Sequence, residues 1–591
     1  MVINIKKRIT MLKQVQNIVL CVFIFSFSLS FSQEERKQTN DTLDTDVVNV
    51  VKPYTPKISD AFKIKEIPSL DDETTATKKE IKYNIFSIPV ASTFTPSKGK
   101  AAQVDKAKKE KLYDNYASLG FGTYTSILGE VYLNHALSRS ENVGGYVSHH
   151  SSQGGIDGVV LDDKFSDSKI RLNYANNLRD LSWNVDAGYQ HEVYNWYGVS
   201  PIYTDTAMLD DINPQHKFFT FDFGGEIEFD NSLFNKTRAR FTRFADDYDS
   251  AENRFEAIAN INIPISGEEV KTDVKIDYLG GTFDNDYFGF NKIKYGNFQV
   301  GISPNYQIKE ADLTLNLGFS AYYLNDTEAS ENKFFIYPKI TASFRVVDEV
   351  LITYAGIEGD LIQNSYRDFA SLNPFMSPTL FIVPTDQQYN AYIGLKGKLS
   401  SNMSYNIRGN YYAESNKALI KNNTFLNFST QENYSYGNSF EVVYDDVTTF
   451  SLFGELNVDI NRNFNLGIKA EYFSYNMDEE EKAWNLPDFE ASLFMDYQID
   501  EHWFAGANLY YIGERSAQST LEGALLPTDL TTNYILESYF DANAHVGYRI
   551  NDRFSVYAKA NNIANQDYQK WLNYPVQGIQ FLAGVTYKFD F

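Results

Sequence analysis

Histidines are the first residues of this chain whose side chains could bind a metal or transfer a proton. They are His135, His149, His150, His191, His216, His502 and His545, and none has metal-ligand spacing to a second histidine or to a cysteine. His149 and His150 are adjacent, so on a strand their side chains point to opposite faces and cannot share an ion. The sequence therefore predicts no metal and no cofactor.

Paired carboxylates are the remaining candidates for catalysis. The pairs are Asp162 with Asp163, Asp210 with Asp211, and Asp246 with Asp247. The sequence Asp284-Asn285-Asp286 lacks the Gly and the distant Glu of a calcium loop. Gly-x-Ser-x-Gly and Walker-type sequences are absent. We therefore expect solvated loop charge, or weak bridging of divalent ions to surface lipid, and no enzyme activity.

Composition excludes two further classes of protein. The chain has 591 residues with 53 Lys and Arg against 77 Asp and Glu, a formal net charge of -24. A chain this acidic is a poor partner for nucleic acid, because neutralising phosphates needs clustered Lys and Arg. No apolar run of about 18 residues follows residue 32, which excludes a membrane bundle of helices.

The amino terminus has the order of a secretory signal. Lys6, Lys7 and Arg8 precede an apolar stretch from Ile18 to Phe31. We predict a signal peptide at residues 1–32, and a retained anchor is disfavoured because the apolar stretch is short. The single cysteine lies inside the signal, so the exported chain has no thiol chemistry.

Residues 33–114 differ from everything that follows. They contain five prolines, a lysine-rich segment from Lys98 to Lys111, and few aromatic residues. This composition predicts an extended periplasmic N-terminal arm without a large core. Its role is either that of a plain linker or that of a docking arm for a periplasmic or envelope protein. Two short apolar patches support docking, one with Val47, Val48, Val50 and Val51 and one from Ile85 to Phe94, and the two roles stay equally open.

From residue 115 to residue 591, apolar and polar residues alternate in repeated segments. One example is the segment from Phe464 to Tyr472, where every second residue is apolar. Each segment is a strand with one apolar face. A soluble sandwich shows the same alternation. The signal sequence, strand lengths of roughly 9–11 residues and aromatic strand ends favour a transmembrane antiparallel β-barrel.

The connections between these segments predict the number of strands. Ten short polar turns alternate with eleven mostly longer segments, as periplasmic turns alternate with outer loops in outer-membrane barrels. This count requires 22 strands, provided that Ser439 to Ile460 is one strand without a turn at Asp445-Asp446. The last segment alternates to the carboxyl terminus, and Tyr587, Phe589 and Phe591 resemble the signal that barrel-assembly machinery recognises.

The barrel resembles a known family, and the motifs that carry the resemblance lie in its last 90 or so residues. Asn561-Asn562-Ile563, Tyr568 and Pro575-Val576-Gln577-Gly578 match the closing hairpins of TonB-dependent receptors, and Tyr511 to Arg515 resembles their Tyr-x-Gly-x-Arg sequence. The likeness is to the plainer barrels of Bacteroidetes-like outer membranes. It implies a receptor barrel in a Gram-negative outer membrane, in contact with lipid and lipopolysaccharide.

The arm departs from this family. Residues 33–114 are shorter than the family's plug domain and lack its strand-rich pattern, so we expect no plug. The segment Thr45 to Val51, which contains the four valines, loosely resembles the TonB box through which such receptors are energised. We expect the arm to stay mostly periplasmic, although its lysines could enter a negatively charged lumen. The predicted lumenal carboxylates are Asp222, Glu226, Glu228, Asp273 and Asp277.

A barrel of 22 strands is far wider than its side chains can fill, so something must close it. The longest outer segments include 362–387, which is rich in proline and apolar residues. We expect this loop to pack across the mouth, since burial is favourable for its apolar side chains. Those candidates for closure are Phe375, Met376, Leu380, Phe381 and Ile382.

Three functions remain open from the sequence. The leading one is a receptor-like barrel for uptake or capture of a solute across the outer membrane. The second is a non-transporting interaction barrel, a subunit of an outer-membrane assembly or secretion complex. The third is a surface adhesin that binds its ligand through the outer loops.

Overall fold

The computed structural model describes residues 111–200, 209–230, 233–426, 432–521 and 530–591. Within these ranges the chain forms an antiparallel sheet of 22 strands. The sheet closes on itself, because the first strand pairs with the last from Asn115 opposite Phe589 to Gly122 opposite Leu582. The predicted 22-stranded antiparallel barrel is therefore confirmed. The predicted signal peptide lies outside the described residues, as does the arm up to residue 110.

The barrel strands and two loop hairpins follow one another along the chain. In order they are β1 (Asn115–Gly122), β2 (Ile127–Ala136), β3 (Glu141–Ser152), β4 (Phe165–Asn177), β5 (Leu181–Asn195), β6 (Gln215–Phe229), β7 (Phe234–Asp246), β8 (Ala251–Ile265), β9 (Glu268–Phe283), β10 (Ile293–Glu310), β11 (Leu313–Asp326), β12 (Glu331–Val347), β13 (Leu351–Ile362), β14 (Thr385–Ser400), β15 (Met403–Asn422), β16 (Phe440–Asn461), β17 (Phe464–Met477), β18 (Phe489–Gln498), β19 (Trp503–Ile512), β20 (Arg515–Leu521), β21 (Leu530–Leu536), β22 (Tyr539–Arg549), β23 (Phe554–Asn561), β24 (Gln569–Trp571), β25 (Tyr574–Pro575) and β26 (Gln580–Phe589).

The two hairpins, β20 with β21 and β24 with β25, stand outside the barrel sheet. One α-helix, α1 (Tyr366–Leu372), lies between β13 and β14, and a short 3-10 turn (Thr123–Thr125) joins β1 to β2. No helix of the described ranges is long and apolar enough to cross a membrane.

The apolar face of the strands points outward. On β6, Phe221 and Phe223 are 48% and 53% exposed, while Thr220 and Asp222 are buried on the lumenal side. A soluble sandwich would bury the phenylalanines and expose the polar side chains. The same alternation that the sequence shows is thus arranged as in a membrane barrel.

Short and long connections lie at opposite ends of the barrel, here called the short-turn end and the long-loop end. A typical short turn is Ser266-Gly267 between β8 and β9, where both residues have positive φ angles (53° and 90°). Strand β16 runs from Phe440 to Asn461 without interruption, and Asp445 and Asp446 lie within it. The prediction of one long strand without a turn at this pair is confirmed.

Four of the five predicted lumenal carboxylates on β6 and β9 face cations. Asp222 accepts hydrogen bonds from Arg171, at 3.1 Å, and from Arg240, while Arg254 lies 2.7 Å from Asp277. Two other predicted lumenal carboxylates also have partners: Glu226 with Lys236 at 2.7 Å and Asp273 with Lys339 at 3.5 Å. These predicted lumenal carboxylates are therefore paired with cations from other strands that project to the same face.

Candidate functional site

One apolar cluster joins distant sectors of the wall at the long-loop end. Its buried members are Phe218, Phe244, Leu279, Phe283, Tyr295, Tyr366, Phe369, Ala370, Met376, Leu380, Ile382, Ile420, Phe440, Val442, Trp571 and Tyr574. Strand β6 contributes Phe218 and strand β16 contributes Phe440, and these strands lie ten places apart in the ring of 22. Loops that complete this cluster must therefore pass over the lumen.

Residues 363–384, here called the mouth loop, supply much of the cluster. Of the predicted closure residues, Met376, Leu380 and Ile382 are buried and Phe375 is partly buried against the cluster. Phe381 is 65% exposed, so the expected burial does not extend to it. The reason is local: alternate side chains of an extended segment point to opposite sides, and those of Leu380 and Ile382 point to the cluster.

Helix α1 of the mouth loop is held at its amino-terminal end. The side chain of Ser365 caps the helix by accepting from the N–H of Asp368 at 3.0 Å. Glu252 on β8 accepts from the backbone N–H of Tyr366 at 2.7 Å. The hydroxyl of Tyr366 donates to Asp246 at 2.8 Å. Two carboxylates of the barrel wall thereby fix the mouth loop.

Four loops meet around Phe375. Its ring stacks on Tyr574 with centroids 3.8 Å apart, and its carbonyl accepts from the indole N–H of Trp196 at 3.1 Å. Tyr197 donates to the carbonyl of Pro575 at 2.9 Å. Asn438 donates to the carbonyl of Trp196 at 3.1 Å. These contacts connect the loops after β5, β13, β15 and β23.

A cavity of 390 Å³, here called the lumenal cavity, lies beside this cluster. Its wall comes from β16 to β19, β22, β23 and β26, and its roof from residues 562–579, here called the roof loop. The polar residues that line it are Lys469, Glu471, Glu490, Ser492, Asn508, Tyr510, Tyr539, Asp541, Asn543, Asn561, Asn562, Tyr568, Lys570, Gln577 and Gln580. Three carboxylates, several amides and three phenols make it a polar binding site.

Strand register brings the wall residues together. Asp541 lies opposite Tyr510, which lies opposite Ser492 on the next strand. Two residues closer to the long-loop end, Ile512 pairs with Glu490, which pairs with Glu471. Because side chains alternate with a period of two, all of these residues share the lumenal face.

Aromatic and cationic groups organise the roof. Tyr568 stacks on Tyr539 with centroids 3.9 Å apart, and its hydroxyl lies 3.4 Å from Asp541. Arg515 is fully buried, lies 5.2 Å from the Tyr539 ring centroid and donates to the backbone carbonyl of Lys570. Burial, and then the positive charge of Arg515, lower the pKa of Lys570 to about 8.

The residues that carry the family resemblance lie at this roof. Asn562 has a φ of 44°, and its side-chain amide donates to the carbonyl oxygens of Gln566 and Gln577 at 2.9 and 3.0 Å. Gln577 donates in turn to the hydroxyl of Ser152 at 2.8 Å. The Asn-Asn sequence and the Pro-x-x-Gly sequence thus fold the roof loop and fasten it to β3.

Sequence reasoning missed most of the cavity wall. Glu471, Glu490, Asn508, Tyr510 and Asp541 come from four strands, and no short motif links them. The available signal was a run of polar residues at every second position near the long-loop ends of consecutive strands.

The other predicted residues lie elsewhere. Tyr587 and Phe591 are 44% and 80% exposed, and Phe589 is partly buried at the end of β26. Val47, Val48, Val50 and Val51 lie outside the described residues. In the ranges that the structure covers, no group of three or more His, Cys, Asp or Glu side chains could hold a metal ion.

The fold is that of solved outer-membrane receptor barrels. The ferric-catecholate import receptor Fiu from Escherichia coli is 12% identical, with 82% of this chain and 83% of that chain covered and a TM-score of 0.57. The FrpB iron transporter from Neisseria meningitidis is 10% identical, with 82% of each chain covered and a TM-score of 0.60. The siderophore receptor PiuA from Acinetobacter baumannii is 11% identical, with 81% of this chain and 82% of that chain covered and a TM-score of 0.57.

No protein-family model and no curated protein matches the sequence. At identities of 10–12% these structures establish a likeness of fold. The barrel resembles those of TonB-dependent receptors, as the closing hairpins of the sequence predict.

Proposed function

We propose that this protein is an outer-membrane receptor-like barrel of a Gram-negative bacterium, which captures a solute at the long-loop end for uptake. The observation that carries the proposal is the lumenal cavity of 390 Å³ directly under the roof loop. The same roof loop takes part in the apolar cluster over the mouth, through Trp571 and Tyr574. A binding site beneath interlocked loops suits capture better than free diffusion.

Known functions of similar folds support uptake. The neighbours named above are described as an import receptor, an iron transporter and a siderophore receptor. None is described as an enzyme. Their fold is shared by this chain, and the polar lumenal cavity supplies a place where a solute can bind.

The proposal includes an orientation and a division of the chain. Residues 1–32 are a signal peptide, residues 33–114 a periplasmic arm, and residues 115–591 the barrel with its long loops outside the cell. Asp114 donates its backbone N–H to Asp590 at 3.1 Å, and Lys111 lies 3.2 Å from the same carboxylate. These contacts hold residues 111–114 at the short-turn end, beside the last strand.

Equilibrium dialysis against growth-medium extract, followed by mass spectrometry, tests capture by the purified full-length protein. A retained small molecule is expected, and Tyr510→Ala, which removes a cavity-lining phenol, should release it. Tyr411→Ala is the matched control, because Tyr411 is 44% exposed and lines no part of the cavity. If nothing is retained from any fraction, the capture function is wrong.

An interaction barrel is the second candidate. Phe288 and Phe290, in the loop between β9 and β10, are 67% and 77% exposed beyond the strand ends. Exposed aromatic residues at a loop tip favour contact with another envelope protein. Affinity purification from native membranes should then recover a stoichiometric partner, and Phe288→Ser with Phe290→Ser should lose it.

A further inference from the structure

Charge is divided across the lumenal cavity. The roof side has Lys570, with Asp541 beside it, and the guanidinium of Arg515 is fully buried against the backbone of Lys570. The wall side has Glu471 and Glu490, on β17 and β18. Lys570 on the roof and the two glutamates on the wall, here called the cationic pole and the anionic pole, therefore line one cavity.

The lysine on the same wall pairs with another glutamate. Lys469 also lines the cavity, but its ammonium lies 3.2 Å from Glu455 on the adjacent strand. Glu471 accepts a hydrogen bond from the hydroxyl of Ser451 at 2.8 Å. The wall can thus attract an ammonium group.

Strand geometry gives the distance between two wall residues, one beside each pole. Asp541, next to Lys570, and Glu490 lie two strands apart in the sheet and two residues apart along it. With strands about 4.8 Å apart and a rise of about 3.3 Å per residue, their backbones are separated by roughly 12 Å. A single amino acid is too short to reach from one pole to the other.

The space between the poles is lined by groups that match amide bonds. Asn508, Asn543, Asn561 and Gln580 each carry a donor and an acceptor on one side chain. One oxygen of Asp541, Oδ1, is buried without a hydrogen-bond partner among the described residues. A buried acceptor of this kind favours a ligand that brings an N–H group.

We propose that the lumenal cavity binds a short peptide with free termini, its carboxylate toward Lys570 and its ammonium toward Glu471 and Glu490. An extended residue spans about 3.4 Å, so about three residues fit the distance between the poles. The inference rests on the proposed capture function and names the class of solute. A neutral oligosaccharide would use the amides but neither pole.

Isothermal titration of the full-length protein in detergent tests this assignment. The probes are trialanine, N-acetyl-trialanine amide, dialanine and maltotriose. Trialanine should bind, and blocking both termini should weaken binding about tenfold or more, because two charge-assisted contacts are lost. Dialanine should bind more weakly than trialanine. Equal affinity for the blocked and free peptides, tighter binding of maltotriose, or no binding of trialanine would each overturn the assignment.

Variants locate the binding. Lys570→Met and Glu490→Gln should each weaken trialanine binding about tenfold. Lys396→Met is the control, because Lys396 lies 5.3 Å from the Tyr354 ring centroid in another sector of the wall and lines no part of the lumenal cavity. Retention of the folded form on unheated gels shows that each variant is intact. Equal loss in all three variants would overturn the site.

The two proposals fail separately. If dialysis retains a solute that Tyr510→Ala releases, but trialanine does not bind, the peptide assignment is wrong and capture stands. If no solute is retained and trialanine does not bind, both are wrong.

Discussion

Phe375 and Tyr574 stack with ring centroids 3.8 Å apart and planes inclined by 22°. One belongs to the mouth loop and the other to the roof loop, which leave the barrel at β13 and β23. Tyr574 is 1% exposed, and its hydroxyl donates to the carbonyl of Asn438 in a third loop. This contact makes the long-loop end one packed unit, and its consequences can be measured.

Deleting residues 372–384 should open the mouth. The deletion removes Phe375, Met376, Leu380 and Ile382 from the cluster that joins distant sectors of the wall. Single-channel conductance in planar bilayers should rise, and cells should become more sensitive to large antibiotics. Phe381→Ala is the control, because this side chain of the same loop is 65% exposed and should leave both unchanged. An unchanged conductance after the deletion would show that the mouth loop is not the barrier.

Tyr366→Phe should loosen helix α1 while the barrel stays intact. The change removes the hydrogen bond from Tyr366 to the buried Asp246, at 2.8 Å. Losing one partner of a buried carboxylate costs about 1–3 kcal/mol. Hydrogen exchange of the amides of Tyr366–Leu372 should accelerate, with no change in β14. Tyr472→Phe, on the outer face of β17, should leave the exchange rates as they are.

Lys570 should release its proton near pH 8. The groups that face it are Arg515, Asp541, Tyr539 and Tyr568, and burial followed by Arg515 lowers its pKa to about 8. An ordinary lysine stays charged to about pH 10.4. As pH rises through 8, Lys570 therefore becomes neutral, and affinity for a carboxylate-bearing ligand should fall.

Carbon-13 NMR of the reductively methylated protein checks this titration. One dimethyl-lysine signal should titrate near pH 8 and be missing in Lys570→Arg. Because the folded state binds the proton less tightly than the unfolded state does, this group's contribution to stability should rise between about pH 8 and 10.4. Lysine signals that all titrate above pH 10 would contradict the prediction.

Arg240→Met should destabilise the barrel. Arg240 lies 2.8 Å from Asp186 and also pairs with Asp222, which is 5% exposed. Without Arg240, the carboxylates of Asp186 and Asp222 lie near each other with less positive charge to compensate them. We expect a cost of about 2 kcal/mol, less than for a fully buried pair because Arg240 is partly exposed. The midpoint of urea unfolding in detergent should fall. Lys333→Met, which breaks an exposed pair with Glu331, should change stability by less than about 0.5 kcal/mol.

Phe591→Ala should slow assembly in cells without weakening the folded barrel. Phe591 is 80% exposed beyond the end of β26, so its ring contributes little to packing. We expect less folded protein on unheated gels of whole membranes, and an unchanged urea midpoint for protein refolded in detergent. Leu137→Ala, in a turn at the short-turn end and 56% exposed, should assemble normally. Normal assembly of Phe591→Ala would show that the terminal aromatic is not a recognition signal.

The barrel could be predicted from sequence because each strand is specified by the pattern of residues within its own segment. An alternation such as that from Phe464 to Tyr472 specifies both the strand and its membrane face. The number of strands followed from the spacing of the turns. Long connections gave less information. The hairpins β20 with β21 and β24 with β25 lie inside such connections and did not emerge from the pattern.

The site could not be predicted in the same way. Glu471 and Asp541 line one cavity only because strand pairing and register bring β17 and β22 to the same sector. The partners of the lumenal carboxylates have the same origin: Arg171 and Asp222 lie on different strands and meet only after pairing. Local alternation specifies which face a residue takes, but not which distant residue it contacts.

The roof loop has two sides with different neighbours. Tyr568 and Lys570 line the lumenal cavity, while Trp571 and Tyr574 pack in the apolar cluster. A molecule that enters the cavity and shifts this short segment must also strain the stacking on Phe375. By reciprocity, any event that separates the outer loops alters affinity in the cavity by the same factor. Binding of a ligand in the lumenal cavity and separation of the outer loops are therefore linked by a single coupling free energy.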